Sequence, residues 1–235
     1  MQTNYASTTA TAKARQEAST IFLAKVFNWM AIGLGVTGLT AWSVAASDPL
    51  YNALRPLFLL FFFAELGMVF YLSARIDKMK ASTATGLFFA YAVLNGVTLS
   101  VIFKAYTTAS ITGTFLITAG MFGTMAIYGM VTKKDLSGWG SFLFMGLIGI
   151  IIASIVNIFM QSPILHWAIS LIGVFIFVGL TAYDTQKIKM MGEQGIMEQG
   201  EATVRKGAII GALALYLDFI NLFLMLLQFF GVGND

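Results

Sequence analysis

The sequence of 235 residues contains no cysteine, only three prolines and a single histidine. Without cysteine the chain cannot form a disulfide, carry a thiolate nucleophile or bind a metal through sulfur. One histidine cannot build a zinc site of the usual kinds, and no HExxH pattern is present. The glycines form no phosphate-binding loop after a strand. These absences predict that the protein is not an enzyme and has no resident cofactor.

Charge is also scarce, at 11% of residues, whereas 58% are hydrophobic. Soluble domains typically have about 25% charged and about 45–50% apolar residues. A membrane-spanning helix needs about 20 mostly apolar residues. Seven such runs occur, at approximately 21–46, 55–74, 83–103, 109–132, 139–160, 164–186 and 207–230. The sequence therefore predicts an all-α integral membrane protein with seven transmembrane helices and no soluble catalytic module.

The first twenty residues, MQTNYASTTATAKARQEAST, are polar. They lack the apolar core and the small-residue cleavage site of a signal peptide. We expect residues 1–20 to form a disordered or loosely helical cytoplasmic tail. A single seven-helix transmembrane domain is expected over 21–235.

Basic residues are distributed unevenly among the breaks between the apolar runs. All but two of the fourteen lysines and arginines flank the first run or lie in the second, fourth and sixth breaks; the exceptions are Arg55 and Lys104. Basic residues are enriched in cytoplasmic loops. This asymmetry predicts a cytoplasmic N-terminus and an external C-terminus, and it accounts for the net charge of +3 without a nucleic-acid partner.

Three acidic residues lie inside the apolar runs, namely Glu65, Asp184 and Asp218. An ionisable group at membrane depth costs at least about 2.5–3.5 kcal/mol, and it usually faces the interior of the helix bundle. In the last run, Gly207, Gly211 and Ala214 precede Asp218 at spacings that place all four on one helix face. That face of small residues is expected to pack against neighbouring helices and to turn the aspartate inward.

Asn221 lies beside Asp218 on the same helix face, and Thr181 lies beside Asp184. Two carboxylates in a low-dielectric site cannot both stay charged easily, so a pair would respond to pH. When both are ionised they also offer ligands for a weakly bound calcium ion, although calcium normally takes 6–8 oxygens. The competing interpretation is that each aspartate only caps or hydrogen-bonds a neighbouring helix.

Two segments, GLTAYDTQKIKMMGE and GALALYLDFINLFLMLLQFFG, closely resemble the signature of the transmembrane Bax inhibitor motif family, in its bacterial inner-membrane branch. TAGMFGTMAIYG, TKKDLSGWG and VNIFMQSP fit the same pattern, so the resemblance covers nearly the whole chain beyond the tail. It implies a seven-helix fold whose last helix is central and surrounded by the other six.

The resemblance also implies a function, a pH-sensitive calcium leak. In this family two aspartates in the last two helices form a hydrogen-bonded pair whose protonation is linked to closing and opening, and Asp184 and Asp218 match them. An arginine near the end of the second helix engages the pair, and Arg75 in LSARIDKMK is the candidate. The segment between the two aspartates, MMGEQGIMEQGEATVRKG, is long for this family.

The sequence leaves three functions open. The first is a proton-gated calcium leak in the bacterial inner membrane, with Asn221, Glu65, Arg75 and Thr181 as polar support and with lipid, calcium and protons as partners. The second is a non-conducting modulator, because bacterial relatives are associated with a membrane-bound quality-control protease and eukaryotic ones with suppression of cell death. Its contact surface is the tail or the 187–206 loop. The third, a proton-coupled transporter, lacks the internal repeat common in such proteins.

Overall fold

The computed structural model describes residues 2–234, with side chains from Lys13 onward. Within this range the chain folds into eight α-helices and contains no strand beyond one isolated bridge between Tyr106 and Gly233. The helices are α1 (Gln2–Ala46), α2 (Asp48–Leu54), α3 (Phe58–Arg75), α4 (Ala81–Ala105), α5 (Thr108–Val131), α6 (Ser137–Met160), α7 (Pro163–Glu193) and α8 (Glu201–Phe230).

Seven segments of the described chain are long and apolar enough to cross a membrane. They are Lys13–Ala46, Asp48–Lys78, Ala81–Ala105, Thr108–Val131, Ser137–Met160, Pro163–Glu193 and Glu201–Phe230. The second comprises α2, α3 and the short 3-10 turns that follow each of them. The prediction of an all-α protein with seven spans is thus confirmed.

The loop expected between the last two spans is much shorter than the sequence indicated. α7 continues to Glu193 and α8 begins at Glu201, so the break of 187–206 shrinks to residues 194–200. Lys189 and Glu193 form an ion pair at 3.7 Å across one turn of α7. Charged residues end an apolar run, but they do not end a helix, because lysine and glutamate are good helix formers.

The N-terminal tail is helical, since α1 begins at Gln2 and runs without a break into the first span. Its last part still has the polar surface that was expected. Lys13, Arg15 and Glu17 are exposed, whereas Ser19 is only 2% exposed. Of the two alternatives expected for residues 1–20, the helical one agrees with the backbone from Gln2 onward, and the cytoplasmic location of the tail stays a prediction.

The helices are organised in two compact units. One extends up to Thr98 and includes residues 187–214; the other comprises 99–186 and the chain from Leu215 onward. α4, α7 and α8 each contribute residues to both units, and the single domain predicted over 21–235 stays a prediction.

In the first unit, α1 packs closely on α4. The hydroxyl group of Thr37 donates to the carbonyl oxygen of Ala92 at 2.9 Å. A Cβ on Gly96 would lie 2.6 Å from the carbonyl oxygen of Thr37. Close backbone contact of this kind is typical of membrane helices, whose small residues let two helices approach.

In the second unit, α7 packs on three neighbours through glycines. A Cβ on Gly129 of α5 would meet the carbonyl oxygen of Ala182, and one on Gly140 of α6 would meet the ring of Tyr183. A Cβ on Gly173 of α7 would lie 2.8 Å from the sulfur of Met225 in α8. The contacts at Ala182 and Tyr183 fix the second half of α7, where Asp184 lies, and the contact at Gly173 fixes its first half.

α8 is the most buried of the seven spans. Of its most apolar stretch 67% is buried, whereas the corresponding share is 11–39% in the other spans. Burial of that extent is what a central helix needs, in keeping with the fold that the family resemblance implies.

Candidate carboxyl-pair site

The structure brings Asp184 of α7 and Asp218 of α8 together. Their side chains are hydrogen-bonded to one another. Asp218 is only 4% exposed, and Asp184 is half-buried. Asp184 lies nine residues before the end of α7, which corresponds to about 14 Å of helix. The pair therefore lies well inside two membrane-spanning helices.

A hydrogen bond between two carboxyl groups requires a proton, because an ionised carboxylate can only accept. One proton shared by the two groups leaves the site with a single negative charge instead of two. The Oδ2 atom of Asp218 is buried and has no hydrogen-bond partner among the described residues. A buried polar atom without a partner is unusual in a folded protein. This atom is therefore available to a proton, a water molecule or a cation.

On α7 the pair is flanked by fully buried threonines. Thr181 donates its hydroxyl proton to the carbonyl oxygen of Phe177, and Thr185 donates to that of Thr181, both at 2.7 Å. Both hydroxyl protons are thus used within the helix. Thr181 had been predicted to support the pair, and the structure places it one turn away, bonded to its own backbone.

On α8, the residue after Asp218 packs against aromatic rings of α5. The ring of Phe219 lies 5.4 Å from the rings of Phe115 and Phe122 of α5. Asn221, the second predicted support, donates its amide to the carbonyl oxygen of Leu217 at 2.8 Å. Because Asp218 is buried, the local dielectric around its carboxyl group is low, and the difference between one and two negative charges is energetically large there.

Glu65, the third predicted carboxylate, belongs to a polar cluster of its own in the first unit. It is 7% exposed and accepts hydrogen bonds from the amide of Asn95 at 3.1 Å and the hydroxyl of Thr98 at 2.8 Å. A buried carboxylate with two such donors is well satisfied. Both donors belong to α4, and the sequence analysis did not anticipate this pairing of Glu65 with Asn95 and Thr98.

Arg75 is the last residue of α3, and its side chain is exposed. Its predicted engagement with the aspartates therefore stays a prediction. It lies at the end of a span with Lys78 and Lys80, which is where a basic residue is expected to meet the polar edge of the bilayer.

Gln186 is a residue of the site region that the sequence analysis missed. Its side-chain oxygen accepts the backbone N–H of Leu136 at 2.9 Å, and its side-chain nitrogen donates to the carbonyl oxygen of Lys134 at 2.8 Å. The side chain thus ties the connection between α5 and α6 to α7, two residues after Asp184. Its position two residues after Asp184 was the only feature of the sequence that pointed to it.

The described side chains include no group of three or more His, Cys, Asp or Glu residues that could hold a metal ion. Asp184 and Asp218 supply two carboxyl groups, whereas calcium normally takes 6–8 oxygens. Any calcium at the pair would need water or carbonyl oxygens for most of its ligands. Such a site suits passage of an ion rather than its storage.

Comparison with known proteins shows the family to which the chain belongs. The family model described as "Inhibitor of apoptosis-promoting Bax1" matches residues 20–235. The chain belongs to the Bax inhibitor-1 family. Among curated relatives, the inner membrane protein YbhL of Escherichia coli strain K12 is 53% identical over 213 residues, which are 89% of this chain and 91% of YbhL.

Two further relatives come from other bacteria. An uncharacterized protein, RP147, of Rickettsia prowazekii is 42% identical over 230 residues, which are 97% of this chain and 96% of that protein. A protein of Borreliella burgdorferi is 45% identical over 216 residues, which are 89% and 91% of the two chains. The matches span nearly the full length of each protein. The Bax inhibitor-1 assignment therefore covers all seven spans, including both helices that carry the aspartates.

Proposed function

We propose that this Bax inhibitor-1 family protein is a pH-sensitive leak for calcium in the bacterial inner membrane, with Asp184 and Asp218 as its proton switch. The observation that carries this proposal is the hydrogen bond between the two buried carboxyl groups. The unpartnered Oδ2 atom of Asp218 supports it, since this is the atom at which a cation or a proton would arrive.

The switch works through repulsion. With one shared proton, the two carboxyl groups attract each other and hold α7 against α8. When the proton leaves, two unit charges about 4 Å apart repel by about 4 kcal/mol at an effective dielectric constant of 20. Moving a two-state equilibrium from 1:99 to 99:1 takes about 5.5 kcal/mol. Repulsion of about 4 kcal/mol falls short of that full reversal, but at about 1.4 kcal/mol for each factor of ten it is still large enough to change which conformation dominates. The two bare carboxylates then attract a cation.

Liposomes that contain the purified protein and a calcium-sensitive dye test this function. The expected result is a calcium flux that rises with pH. Asp184→Asn and Asp218→Asn each replace an ionisable group by one of the same shape, so both should remove most of the pH dependence. Asp77→Asn, an exposed aspartate on a short turn, is the matched control and should behave like the native chain. Unchanged flux and pH dependence in both pair variants would refute the switch.

Orientation is part of the proposal. The basic residues of the second, fourth and sixth breaks favour a cytoplasmic N-terminus and an external C-terminus. A cysteine introduced at Gln199, in the 194–200 loop, should then be labelled by an impermeant maleimide only after the membrane is opened. The natural chain has no cysteine, so the background is zero.

A second candidate is the non-conducting modulator that binds a membrane-bound protease. One observation favours it, because the two surfaces predicted as contact sites lie together in the first unit. A Cβ on Gly192 would come within 2.8 Å of the side chain of Ser19, so the end of the tail packs against the end of α7. Absence of calcium flux at every pH, with co-purification of a protease that is lost on deleting residues 2–12, would favour this function over the leak.

A further inference from the structure

A lateral cavity of about 670 Å³ lies in the second unit, between α5, α6 and α7. Its wall is made almost entirely of apolar side chains, among them Met125, Phe142, Leu143, Ile172 and Phe175. The volume falls within the roughly 300–1,000 Å³ of sites that bind small molecules. The carboxyl pair is not part of its lining.

The open side of this cavity faces the bilayer. Phe142 and Phe175 are 63% and 69% exposed, and both lie inside spans, so the bilayer covers them. An empty space of this size next to lipid would leave its lining without partner atoms and forfeit their dispersion attraction. An acyl chain is the apolar material at hand to fill it.

Close helix packing forms the floor of the cavity. A Cβ on Gly179 of α7 would lie 2.8 Å from Leu143 of α6, and a Cβ on Gly146 would lie 3.0 Å from Ile176. α6 and α7 thus touch along these glycines. The cleft above them is therefore bounded by rigid contacts and does not depend on a mobile loop.

The mouth of the cavity carries charge. Lys134 lines it, and its side chain is exposed. Asp135 also lines the mouth, but its carboxylate accepts the backbone N–H of Ser137 at 2.9 Å. Hydrogen bonding by Ser137 lowers the pKa of Asp135, which therefore stays ionised and directed at the start of α6. With that carboxylate engaged by the backbone of Ser137, the exposed ammonium group of Lys134 is left to attract an anion at the mouth.

Two further features mark the mouth as the level of the lipid headgroups. Trp139 lines the cavity and lies near the start of α6. Tryptophan is enriched where membrane helices meet the headgroup region. Gln186 fixes the carbonyl oxygen of Lys134, so the backbone that carries the lysine is held in place. Basic pockets between membrane helices are known to bind anionic lipid headgroups.

We propose that this cleft is a binding site for one anionic phospholipid, with an acyl chain along the apolar wall and the phosphate at Lys134. The occupant is identified by charge complementarity at the mouth together with an apolar cleft open to lipid. The proposal is independent of the calcium leak.

Native mass spectrometry of the detergent-purified full chain tests it by counting bound lipids. Phosphatidylglycerol and phosphatidylcholine with the same acyl chains are the probes. We expect one phosphatidylglycerol to bind roughly fivefold more tightly than phosphatidylcholine, the factor that one lysine near an anionic lipid typically supplies. Lys134→Gln should remove this preference. Lys80→Gln, an exposed lysine outside the cavity, should retain it.

The acyl-chain part has its own pair of variants. Ile172→Trp fills the cleft and should abolish the bound lipid, whereas Ile155→Trp is the control. Both isoleucines are 52% exposed, so both variants are expected to fold, and circular dichroism checks this. Equal binding of the two lipids by the native chain, or equal lipid counts in Ile172→Trp and Ile155→Trp, would overturn the proposal. A dimer that forms in place of the lipid-bound monomer would overturn it as well.

Discussion

Gln186→Leu should destabilise the protein by breaking the connection between α7 and the 132–136 segment. The native side chain is 8% exposed and makes two hydrogen bonds, one to the N–H of Leu136 and one to the carbonyl oxygen of Lys134. Leucine has a similar volume but no polar atom, so both backbone groups lose their partner. A buried group left without its hydrogen bond costs about 1–3 kcal/mol.

The two lost bonds are not equivalent. Leu136 is 8% exposed, so its N–H has little access to water and should suffer most of this penalty. Lys134 is exposed, and water can replace the amide at its carbonyl oxygen. The added apolar burial of leucine offsets part of the loss, and we expect a net decrease in unfolding free energy of about 1 kcal/mol.

Unfolding in mixed detergent–SDS micelles measures the change in stability, and hydrogen exchange at the Leu136 amide locates it. We expect exchange at this amide to accelerate in Gln186→Leu. Gln199→Leu, an exposed glutamine in the 194–200 loop, is the control and should change stability by no more than about 0.5 kcal/mol. A stability equal to that of the native chain, with the Leu136 amide still protected, would show that Gln186 does not hold the segment.

Two further predictions concern helix contact and pH. Gly129→Ala should lower the free energy of unfolding by about 1–3 kcal/mol, because its Cβ would meet the carbonyl oxygen of Ala182 and the side chain of Thr185. Gly123→Ala, on the same helix, has open space around its Cβ and should be neutral or stabilising in the same micelle assay. Hydrogen bonds from Ser137 lower the pKa of Asp135 from its ordinary 3.8. The ionised carboxylate therefore stabilises the folded state above pH 3.8, and this stabilisation is lost as the pH falls through the lowered pKa. Asp135→Ala should therefore be less stable than the native chain at pH 7, and the difference should vanish in acid; a difference that persists in acid would show that the charge is not its source.

The apolar runs predicted every span, but they misplaced several helix ends. Hydropathy marks the part of a helix that lies in hydrocarbon, and it does not mark where the helix stops. Lys187 and Lys189 end the sixth apolar run, yet α7 continues through both to Glu193. The real end is set by Gly195, whose φ of 86° is in the left-handed region that favours glycine.

The aspartates could be found from sequence because an acid inside an apolar run is rare. Their spacing alone did not determine which acids meet. Glu65 satisfies the same criterion, but its hydrogen bonds come from Asn95 and Thr98. The partners of Gln186 are backbone groups fifty residues away, and backbone groups carry no sequence signal at all.

Four consecutive residues of α7 show why a change of charge at Asp184 would be felt throughout the second unit. Tyr183 packs on Gly140 of α6, Asp184 bonds to Asp218 of α8, Thr185 packs on Gly129 of α5, and Gln186 holds the segment between α5 and α6. Successive residues of a helix point about 100° apart, so this one turn contacts a neighbour on every side. Close-packed contacts transmit strain rather than absorb it. In the proposed switch, repulsion between the aspartates would therefore also displace α7 against α5 and α6. On that proposal, Gly129→Ala should alter the pH response of calcium flux even though it leaves both aspartates in place.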